Sequence, residues 1–403
     1  MSQSRPSSII GMAGLSRRLI AGEHDAVMAE LAQRYQADPS DVDALFDMAM
    51  LLRLTAKVEQ SQTLQTAALA TRSCFTCRHG RADALRVLVL VTGGDVMANA
   101  PIDFLCEDAD LTLHFLHLDA GAPAEVPPHD VTFIAIGWSD ANRPLLEQLP
   151  TVLKTWPSPV MNGAPERVLA MTRDAARALF EACPGVLAPA NLKVPRAVVD
   201  RLALGELLPG ALHGDFAYPM LIRPLDTHGG KGLERIDDAS AWTDYLGRHA
   251  DDDFFLAPFV DYSDTHGRFP KLRITFVDGK PFATHMALSD HWLAHYISAG
   301  MLESAEKRAV EAAWMAGFEQ DFAVRHGDAL AAIARQFGVD YFSIDCAETR
   351  DGRLLLFEAD VASIVHALDP PQIFPYKRAA MDKLFAAFNA ALRRRAEAKA
   401  EAA

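Results

Sequence analysis

The chain has 403 residues, half of them hydrophobic and 23% charged, and its formal net charge at pH 7 is −14. This is the composition of a globular protein long enough for two or three domains, and its acidity argues against a nucleic-acid surface, because phosphate contacts depend on clustered lysine and arginine. No apolar run reaches the length of a membrane span and five cysteines are too few for a disulfide framework, so we expect a cytoplasmic protein that does not enter membranes.

Residues 1–80 are predicted to form a small helical region. Apolar residues recur at helical spacing from residue 9 to residue 72, and Asp38-Pro39-Ser40-Asp41 is a helix-start signal. We expect this region to pack against the main body. The alternative is that it forms a homo-oligomer interface. Cys74, Cys77 and His79 have a metal-like spacing, but a closed zinc site would need a second ligand pair nearby, so we interpret the segment as a linker.

An open α/β domain is predicted for residues 84–165. Three aliphatic runs, at 85–91, 111–118 and 131–136, are typical of buried parallel strands. Ligands of such sheets bind at the carboxyl ends of the strands, so Gly93-Gly94 and Gly137-Trp138-Ser139-Asp140 are candidate substrate loops. Their glycine spacing does not match a dinucleotide fingerprint.

A glycine-rich loop follows the next predicted strand. The strand, residues 219–224, carries Arg223 near its end, and the loop reads Leu225-Asp226-Thr227-His228-Gly229-Gly230-Lys231-Gly232-Leu233. Backbone N–H groups of such a loop can turn toward phosphate oxygens, because glycine tolerates the dihedral angles required. A plain hairpin turn has a similar composition, so the loop alone does not decide between these interpretations.

Two further strands are predicted downstream of this loop. Residues 253–260 form an apolar run that ends at Asp261, and residues 271–277 alternate basic and apolar side chains. Because side chains on a strand alternate between faces, Lys271 and Arg273 point to the same side. The sequence thus places two cations on one face of a strand.

Residues 344–366 predict a hairpin that carries acidic groups. Asp345 ends one apolar run, Asp351-Gly352 forms the turn, and the returning run delivers Glu358 and Asp360. Alternation puts Glu358 and Asp360 on one side, and the antiparallel partner brings Asp345 beside them. Three converging carboxylates repel one another unless a cation neutralises them, and oxygen ligands favour Mg²⁺. An ordinary hairpin with a solvated acidic face is the alternative.

These segments together resemble the ATP-grasp superfamily, and within it glutathione synthetases and ribosomal-protein glutamate ligases. The resemblance covers residues 161–391 and rests on the order of three motifs: the strand and glycine loop P-M-L-I-R-P-L-D-T-H-G-G-K-G-L, the segment K-L-R-I-T-F-V-D-G-K-P-F, and the acidic pattern from Asp345 to Asp360. It implies an α/β fold, with an ATP-grasp domain of two subdomains at residues 166–395 after the open α/β domain.

The resemblance also implies a role for each candidate residue. Asp345, Glu358 and Asp360 would bind Mg²⁺, Arg273 beside Lys271 would hold the transferring phosphoryl group, and Asp261 would lie near the ribose. The adenine would lie against the hinge residues Leu256, Ala257, Phe259 and Val260. The loop would close over the phosphates of ATP with Thr227, His228, Gly229, Gly230, Lys231 and Gly232.

Several positions depart from the family pattern. Arg223 stands where the family usually has lysine, and it keeps the charge. A second family lysine falls near Arg173 and Arg177, and the sequence does not choose between them. Asp360 stands where asparagine is usual. His295 also stands near a family asparagine, in a loop that faces the acyl acceptor in relatives; it is a catalytic candidate, although histidines in loops are more often surface groups.

We therefore predict an ATP-dependent carboxylate–amine ligase that uses ATP and Mg²⁺ and acts on a small molecule or a peptide. A substrate carboxylate would attack the γ-phosphoryl group, and an amine would then capture the acyl phosphate. Two alternatives remain at this point. One is an ATP-dependent small-molecule kinase that stops at phosphoryl transfer, and the other is a non-catalytic nucleotide-binding or scaffold protein.

Overall fold

The computed structural model describes residues 8–81, 84–95, 97–121, 126–225, 230–296 and 298–402. It has a mixed α/β architecture with three sheets, as the sequence predicts. Within these ranges no helix is both long enough and apolar enough to cross a membrane.

The chain begins with four helices, as predicted. They are α1 (Gly11–Ile20), α2 (His24–Ala37), α3 (Val42–Leu54) and α4 (Val58–Thr71). The start signal before α3 acts as expected, because the side chain of Asp41 accepts a hydrogen bond from the backbone N–H of Ala44 at 3.0 Å. Apolar residues of α1 and α3 share one core with the first sheet.

The first sheet has five strands. In chain order they are β1 (Cys74–His79), β2 (Leu85–Val91), β3 (Leu111–His117), β4 (Val131–Ile134) and β5 (Val160–Met161), with α5 (Asp103–Cys106) and α6 (Arg143–Leu153) between them. The strands lie in the order β1-β3-β2-β4-β5, and the last four in the chain are parallel, which confirms the predicted parallel strands.

The linker interpretation of residues 74–79 is wrong, because β1 is an edge strand that pairs antiparallel with β3. Phe75 and Cys77 alternate with their neighbours and are buried in the core, which is the pattern of a half-covered strand. Cys77 Sγ lies 3.5 Å from His79 Nε2. No group of three or more metal-ligand side chains forms in the described parts of the chain.

The second sheet has four antiparallel strands in the order β7-β10-β8-β9. The elements between residues 165 and 258 are α7 (Pro165–Val168), α8 (Ala176–Phe180), β6 (Val186–Leu187), β7 (Leu192–Pro195), α9 (Arg196–Ala203), β8 (Met220–Pro224), β9 (Glu234–Ile236), α10 (Ala241–Arg248) and β10 (Asp253–Pro258). The predicted strand before the glycine loop is β8, and the predicted hinge strand is β10. This sheet has a separate core around Trp242, Tyr245 and Phe254.

The third sheet carries the predicted acidic hairpin. Its strand order is β12-β11-β13-β14-β6, and its further elements are β11 (Phe269–Val277), β12 (Lys280–Ser289), α11 (Ala305–Gly317), α12 (Ala323–Arg325), α13 (Gly327–Phe337), β13 (Tyr341–Glu348) and β14 (Leu354–Asp360). The turn between β13 and β14 lies at Asp351-Gly352, where Gly352 has a φ of 79° that favours glycine.

The last helix, α14 (Lys377–Ala402), returns to the first sheet. Its buried residues Met381, Leu384 and Phe388 belong to the core that the first sheet shares with α1 and α3. Arg378 forms an ion pair with Asp108 at 2.6 Å. Residues of all three predicted domains, 1–80, 84–165 and 166–395, therefore share one core, and the three-domain division stays a prediction.

Candidate active site

Three neighbouring strands bring the predicted acidic and basic residues together. Arg273 on β11 stands opposite Asp345 on β13, and Asp345 stands opposite Glu358 on β14. The Arg273 guanidinium donates to both carboxylate oxygens of Asp345, from Nε at 2.7 Å and from Nη2 at 3.1 Å. Lys271 Nζ lies 2.8 Å from the same carboxylate. The predicted shared face of Lys271 and Arg273 is thus observed.

The pKa values of Asp345, Glu358 and Asp360 are shifted in different directions. Burial raises the pKa of Asp345, but Arg273 and Lys271 outweigh burial and hold that pKa well below its ordinary value. Burial also raises the pKa of Glu358, and the charge of Arg173 reverses the shift. Asp360 has no comparable partner: burial raises its pKa to about 6, and its Oδ1 accepts one hydrogen bond, from Ala362 N at 2.8 Å.

Two further arginines reach this cluster from outside the third sheet. Arg173, which lies before α8, donates a hydrogen bond to Glu358. Arg177 instead pairs with Asp215, so of the two arginines that the sequence left open, Arg173 is the one at the cluster. Arg223 on β8 is half-buried, and its pKa falls to about 10 because of burial and the nearby charge of Arg173. Four cations therefore gather around three carboxylates.

His295 lies beside the cations of the ladder. Burial, Lys271 and Arg273 together lower the pKa of His295, which favours the neutral imidazole. His285 stands opposite Arg273 on β12, and burial lowers its pKa further still. Its ring lies 4.7 Å from the ring of Tyr296.

A buried charge network that the sequence did not predict continues from Tyr296. The hydroxyl of Tyr296 contacts Lys377 Nζ, which also lies 3.0 Å from Asp369 and 3.5 Å from Glu311. Burial lowers the pKa of Lys377 to about 7 and raises that of Glu311 to about 7. Glu311 is an acidic residue on the buried side of α11. An acid among apolar residues at helical spacing is the sequence signal that could have revealed this network.

Part of the predicted phosphate loop is described. Thr227, His228 and Gly229 lie outside the described residues. Gly230 and Gly232 have φ angles of 78° and 68°, in the left-handed region. Lys231 between them is exposed. The Gly232 carbonyl accepts a hydrogen bond from the Tyr245 hydroxyl at 3.0 Å, which fixes the end of the loop against α10.

The predicted adenine hinge begins in β10 and continues beyond its end. Leu256 is fully buried in the core of the second sheet and pairs with strands on both sides, while Ala257 and Val260 are half-buried. Phe259 contacts Trp292 edge to face at a centroid distance of 5.8 Å, and the Arg235 guanidinium lies 4.9 Å from its ring. Asp261 is exposed, and its Oδ2 lies 3.3 Å from Arg350 Nη2.

The candidate substrate loop that begins at Gly137 lies next to the acidic hairpin. A side chain added at Gly137 would come within 2.7 Å of Ala362 Cβ, two residues beyond Asp360. The other candidate loop turns away, because Gly93 N donates to Asp119 and Gly94 N donates to Gln65 on α4. The carboxyl edge of the first sheet thus meets the acidic hairpin at Gly137.

The donor chemistry fits Mg²⁺ bound together with phosphate. Glu358 and Asp360 supply carboxylate oxygens from one side of β14, and Mg²⁺ is commonly held by one or two carboxylates and the phosphates of its nucleotide. The described residues do not form a cage of three metal-ligand groups, and both oxygens of Asp345 are occupied by Arg273. Glu358 and Asp360 are therefore the better candidate ligands.

Comparisons with known proteins give similar structures only. No family model and no curated protein matches the chain. A D-alanine–D-alanine ligase from Coxiella burnetii aligns with a TM-score of 0.45 at 11% identity, over 79% of this chain and 97% of that chain. A RimK domain protein ATP-grasp from Sphaerobacter thermophilus aligns with a TM-score of 0.41 at 12% identity, over 76% and 99%.

A third solved structure, the ATP-grasp ligase PsnB with minimal precursor, Mg and ADP, aligns with a TM-score of 0.41 at 13% identity, over 76% of this chain and 98% of that chain. Of the three structures, two are named as ligases and two as ATP-grasp proteins. All three TM-scores are below 0.5.

Proposed function

We propose that the chain is an ATP-dependent carboxylate–amine ligase of the ATP-grasp type. The observation that carries the proposal is the ladder of Arg273, Asp345 and Glu358 across β11, β13 and β14, with Lys271 on the same face. Arg173 and Arg223 add two cations from elements outside that ladder. This arrangement suits a metal-bound triphosphate, because cations face the phosphate oxygens while carboxylates hold the metal.

In the proposed reaction, a substrate carboxylate attacks the γ-phosphorus of ATP, and the bond to ADP breaks. An amine then attacks the acyl carbon, phosphate leaves, and the nitrogen loses a proton, which gives an amide. Mg²⁺ held by Glu358 and Asp360 would supply positive charge to the phosphates. Arg273 would stabilise the transferring group, and neutral His295 could accept a proton from the acceptor amine.

Two loops next to the cluster would contact the substrates. Gly137 of the first sheet and the segment around His295 both border the cluster. Both are loops, and loops vary to suit different ligands on one scaffold. We propose a small carboxylate or a peptide carboxylate as the activated group and a small amine or amino acid as the acceptor.

The test is a screen of amino acids and short peptides for acceptor-dependent ADP release, followed by mass spectrometry of the product. A ligase gives a product whose mass is that of the two substrates less one water. A phosphorylated product would identify a kinase, and the absence of both ATP binding and turnover would leave a scaffold. Each of the latter two results would overturn the proposal.

Our first prediction concerns Glu358, the proposed metal ligand that is bonded to Arg173. Glu358→Gln removes the negative charge while keeping the shape, so we expect turnover to fall by about a hundredfold or more and the Mg²⁺ concentration for half-maximal rate to rise. The matched control is Glu348→Gln at the far end of β13, which pairs with Arg325. Equal Mg²⁺ dependence in wild type and Glu358→Gln would rule out the metal assignment.

A further inference from the structure

A cavity of about 100 Å³ lies between the N-terminal helices and the first sheet. Residues of α1, α3 and α4 form one wall, and the ends of β2 and β3 form the other. Open α/β sheets bind ligands outside the carboxyl ends of their strands, which is where Val91 and His117 line this cavity. None of its lining residues belongs to the second or third sheet, so the cavity is separate from the proposed nucleotide site.

Two nitrogen atoms in the cavity wall are buried without a hydrogen-bond partner among the described residues. They are Arg53 Nη2 on α3 and His117 Nδ1 at the end of β3. His117 is only 5% exposed, and burial lowers its pKa to about 4, so the ring is neutral. A buried guanidinium N–H without an acceptor is costly, and a ligand in the cavity can supply that acceptor.

The other polar groups of the wall already have partners. Gln65 Oε1 accepts from Gly94 N at 2.9 Å, and Asp103 Oδ2 accepts from Ala13 N at 2.8 Å. Asn99 exchanges two hydrogen bonds with the backbone of Thr92. Asp95 is engaged as well. Among the described lining residues, Arg53 Nη2 is thus a cationic donor without an acceptor, whereas the Nδ1 of neutral His117 can only accept, because the ring N–H donates to backbone carbonyl oxygens.

The rest of the wall is mainly apolar. Its apolar side chains include Met12, Phe46, Met50 and Phe115. A ligand that matches this wall combines one anionic acceptor group with a short apolar chain.

We propose that this cavity binds a short-chain aliphatic monocarboxylate. Its carboxylate would accept hydrogen bonds from Arg53, and its alkyl chain would lie among Met12, Phe46 and Phe115. This is a second small-molecule site, and it does not depend on whether the Arg273 cluster acts as a ligase.

The test adds sodium butyrate to the full chain. Binding is measured by calorimetry and by the shift in thermal unfolding at constant ionic strength. Butyramide tests the need for the negative charge, and 2-aminobutyrate tests whether an amino acid is preferred. We expect butyrate to bind and to raise the unfolding midpoint, and both analogues to bind at least tenfold more weakly. No binding of butyrate, or tighter binding of either analogue, would overturn the proposal.

Two variants test the location of the site. Arg53→Met removes the guanidinium and should weaken butyrate binding at least tenfold, whereas Arg201→Met, on the exposed surface of α9, should leave it unchanged. Ala49→Leu should fill the cavity, since Ala49 lines it and is 1% exposed. Butyrate affinity that is unchanged in Arg53→Met would refute the site even where Ala49→Leu fails to fold.

Discussion

Arg273 is the residue on which the proposed chemistry depends most. Burial lowers its pKa, but Asp345, which it binds with two donors, outweighs burial and raises that pKa, so the guanidinium stays charged at any working pH. Negative charge moves toward the transferring phosphoryl group as its bond to ADP loosens, and a guanidinium held in place by Asp345 stabilises that charge.

We expect Arg273→Lys to lower turnover by roughly a hundredfold while ATP binding weakens little, because lysine keeps the charge but loses the two-donor contact with Asp345 that fixes the position of the cation. Binding is measured by calorimetry with a non-hydrolysable ATP analogue, and turnover is measured by ADP release. Arg268→Lys, just before β11 and paired with Asp264, is the matched control. If Arg273→Lys abolished ATP binding but kept the turnover per bound ATP, Arg273 would serve to bind ATP and not to stabilise the transition state.

Asp47 on α3 gives a pH-dependent prediction. It is fully buried, and burial raises its pKa to about 7 although Ile10 N and Gly11 N donate to it. Between about pH 4 and pH 7 the folded protein therefore keeps a proton that the unfolded chain has lost. The stabilisation from this group is complete below pH 4 and is lost as pH rises through 7, at on the order of 1.4 kcal/mol per pH unit.

We expect Asp47→Asn to flatten this part of the pH profile, as measured by denaturant unfolding at pH 5 and pH 8. Glu59→Gln, an exposed acid on α4, should leave the profile as in wild type. Equal slopes for wild type and Asp47→Asn would show that Asp47 does not titrate in this range.

At the scale of single residues, the sequence predicted positions better than partners. Alternation along a strand is local, so the shared face of Lys271 and Arg273 and the pairing of Asp345 with Glu358 were predictable. That the cation on Asp345 is an arginine, and that Arg173 binds Glu358, depends on contacts between residues far apart in the chain. No spacing rule reports such contacts.

At the scale of elements, the end of the glycine loop is under the tightest steric limit. Gly232 has a φ of 68°, and a Cβ there would lie 2.7 Å from Pro224 Cδ, in a ring that cannot move aside. We expect Gly232→Ala to destabilise the protein by about 2 kcal/mol, since an L-residue in the left-handed region costs about 1–2 kcal/mol before the contact is counted.

The control for this change is Gly247→Ala within α10, where an added Cβ meets nothing within 4 Å and alanine favours the helix. Thermal unfolding of both variants gives the comparison. A Gly232→Ala protein as stable as wild type would mean that the loop end relaxes without cost.

The linker prediction for the segment that forms β1 is wrong. Cys74-Phe75-Thr76-Cys77 is short, and its cysteines suggested metal or linker chemistry, while its strand character depends on pairing with β3. β-structure is set by neighbours more than by local preference, so an edge strand of this length is hard to find from sequence. The turn at Gly352 was predictable because Asp-Gly is itself a turn signal.

At the scale of the whole molecule, the last helix, α14, packs against the first sheet. Phe388 on α14 is fully buried and makes edge-to-face contacts with Phe133 and Tyr341, at centroid distances of 5.5 Å and 5.1 Å. We expect Phe388→Ala to lower the free energy of unfolding by about 3–5 kcal/mol, because truncation of a buried aromatic leaves a cavity. Val324→Ala, at a position 69% exposed, should change it by less than about 0.5 kcal/mol.

Denaturant unfolding followed by tryptophan fluorescence measures both variants. A small effect at Phe388 would mean that α14 is attached loosely, and that the first sheet and the four N-terminal helices hold together without it. The neighbours of α14 could not be predicted from the sequence, because a helical pattern does not specify which core it covers.

The place of α14 has a consequence for the order of events during protein synthesis. Long chains usually fold domain by domain as they leave the ribosome, from the N-terminal end. Here Phe133 of the first sheet is translated long before Phe388, its partner in the core. The part of the first sheet that Phe388 covers therefore stays exposed until α14 has been synthesised.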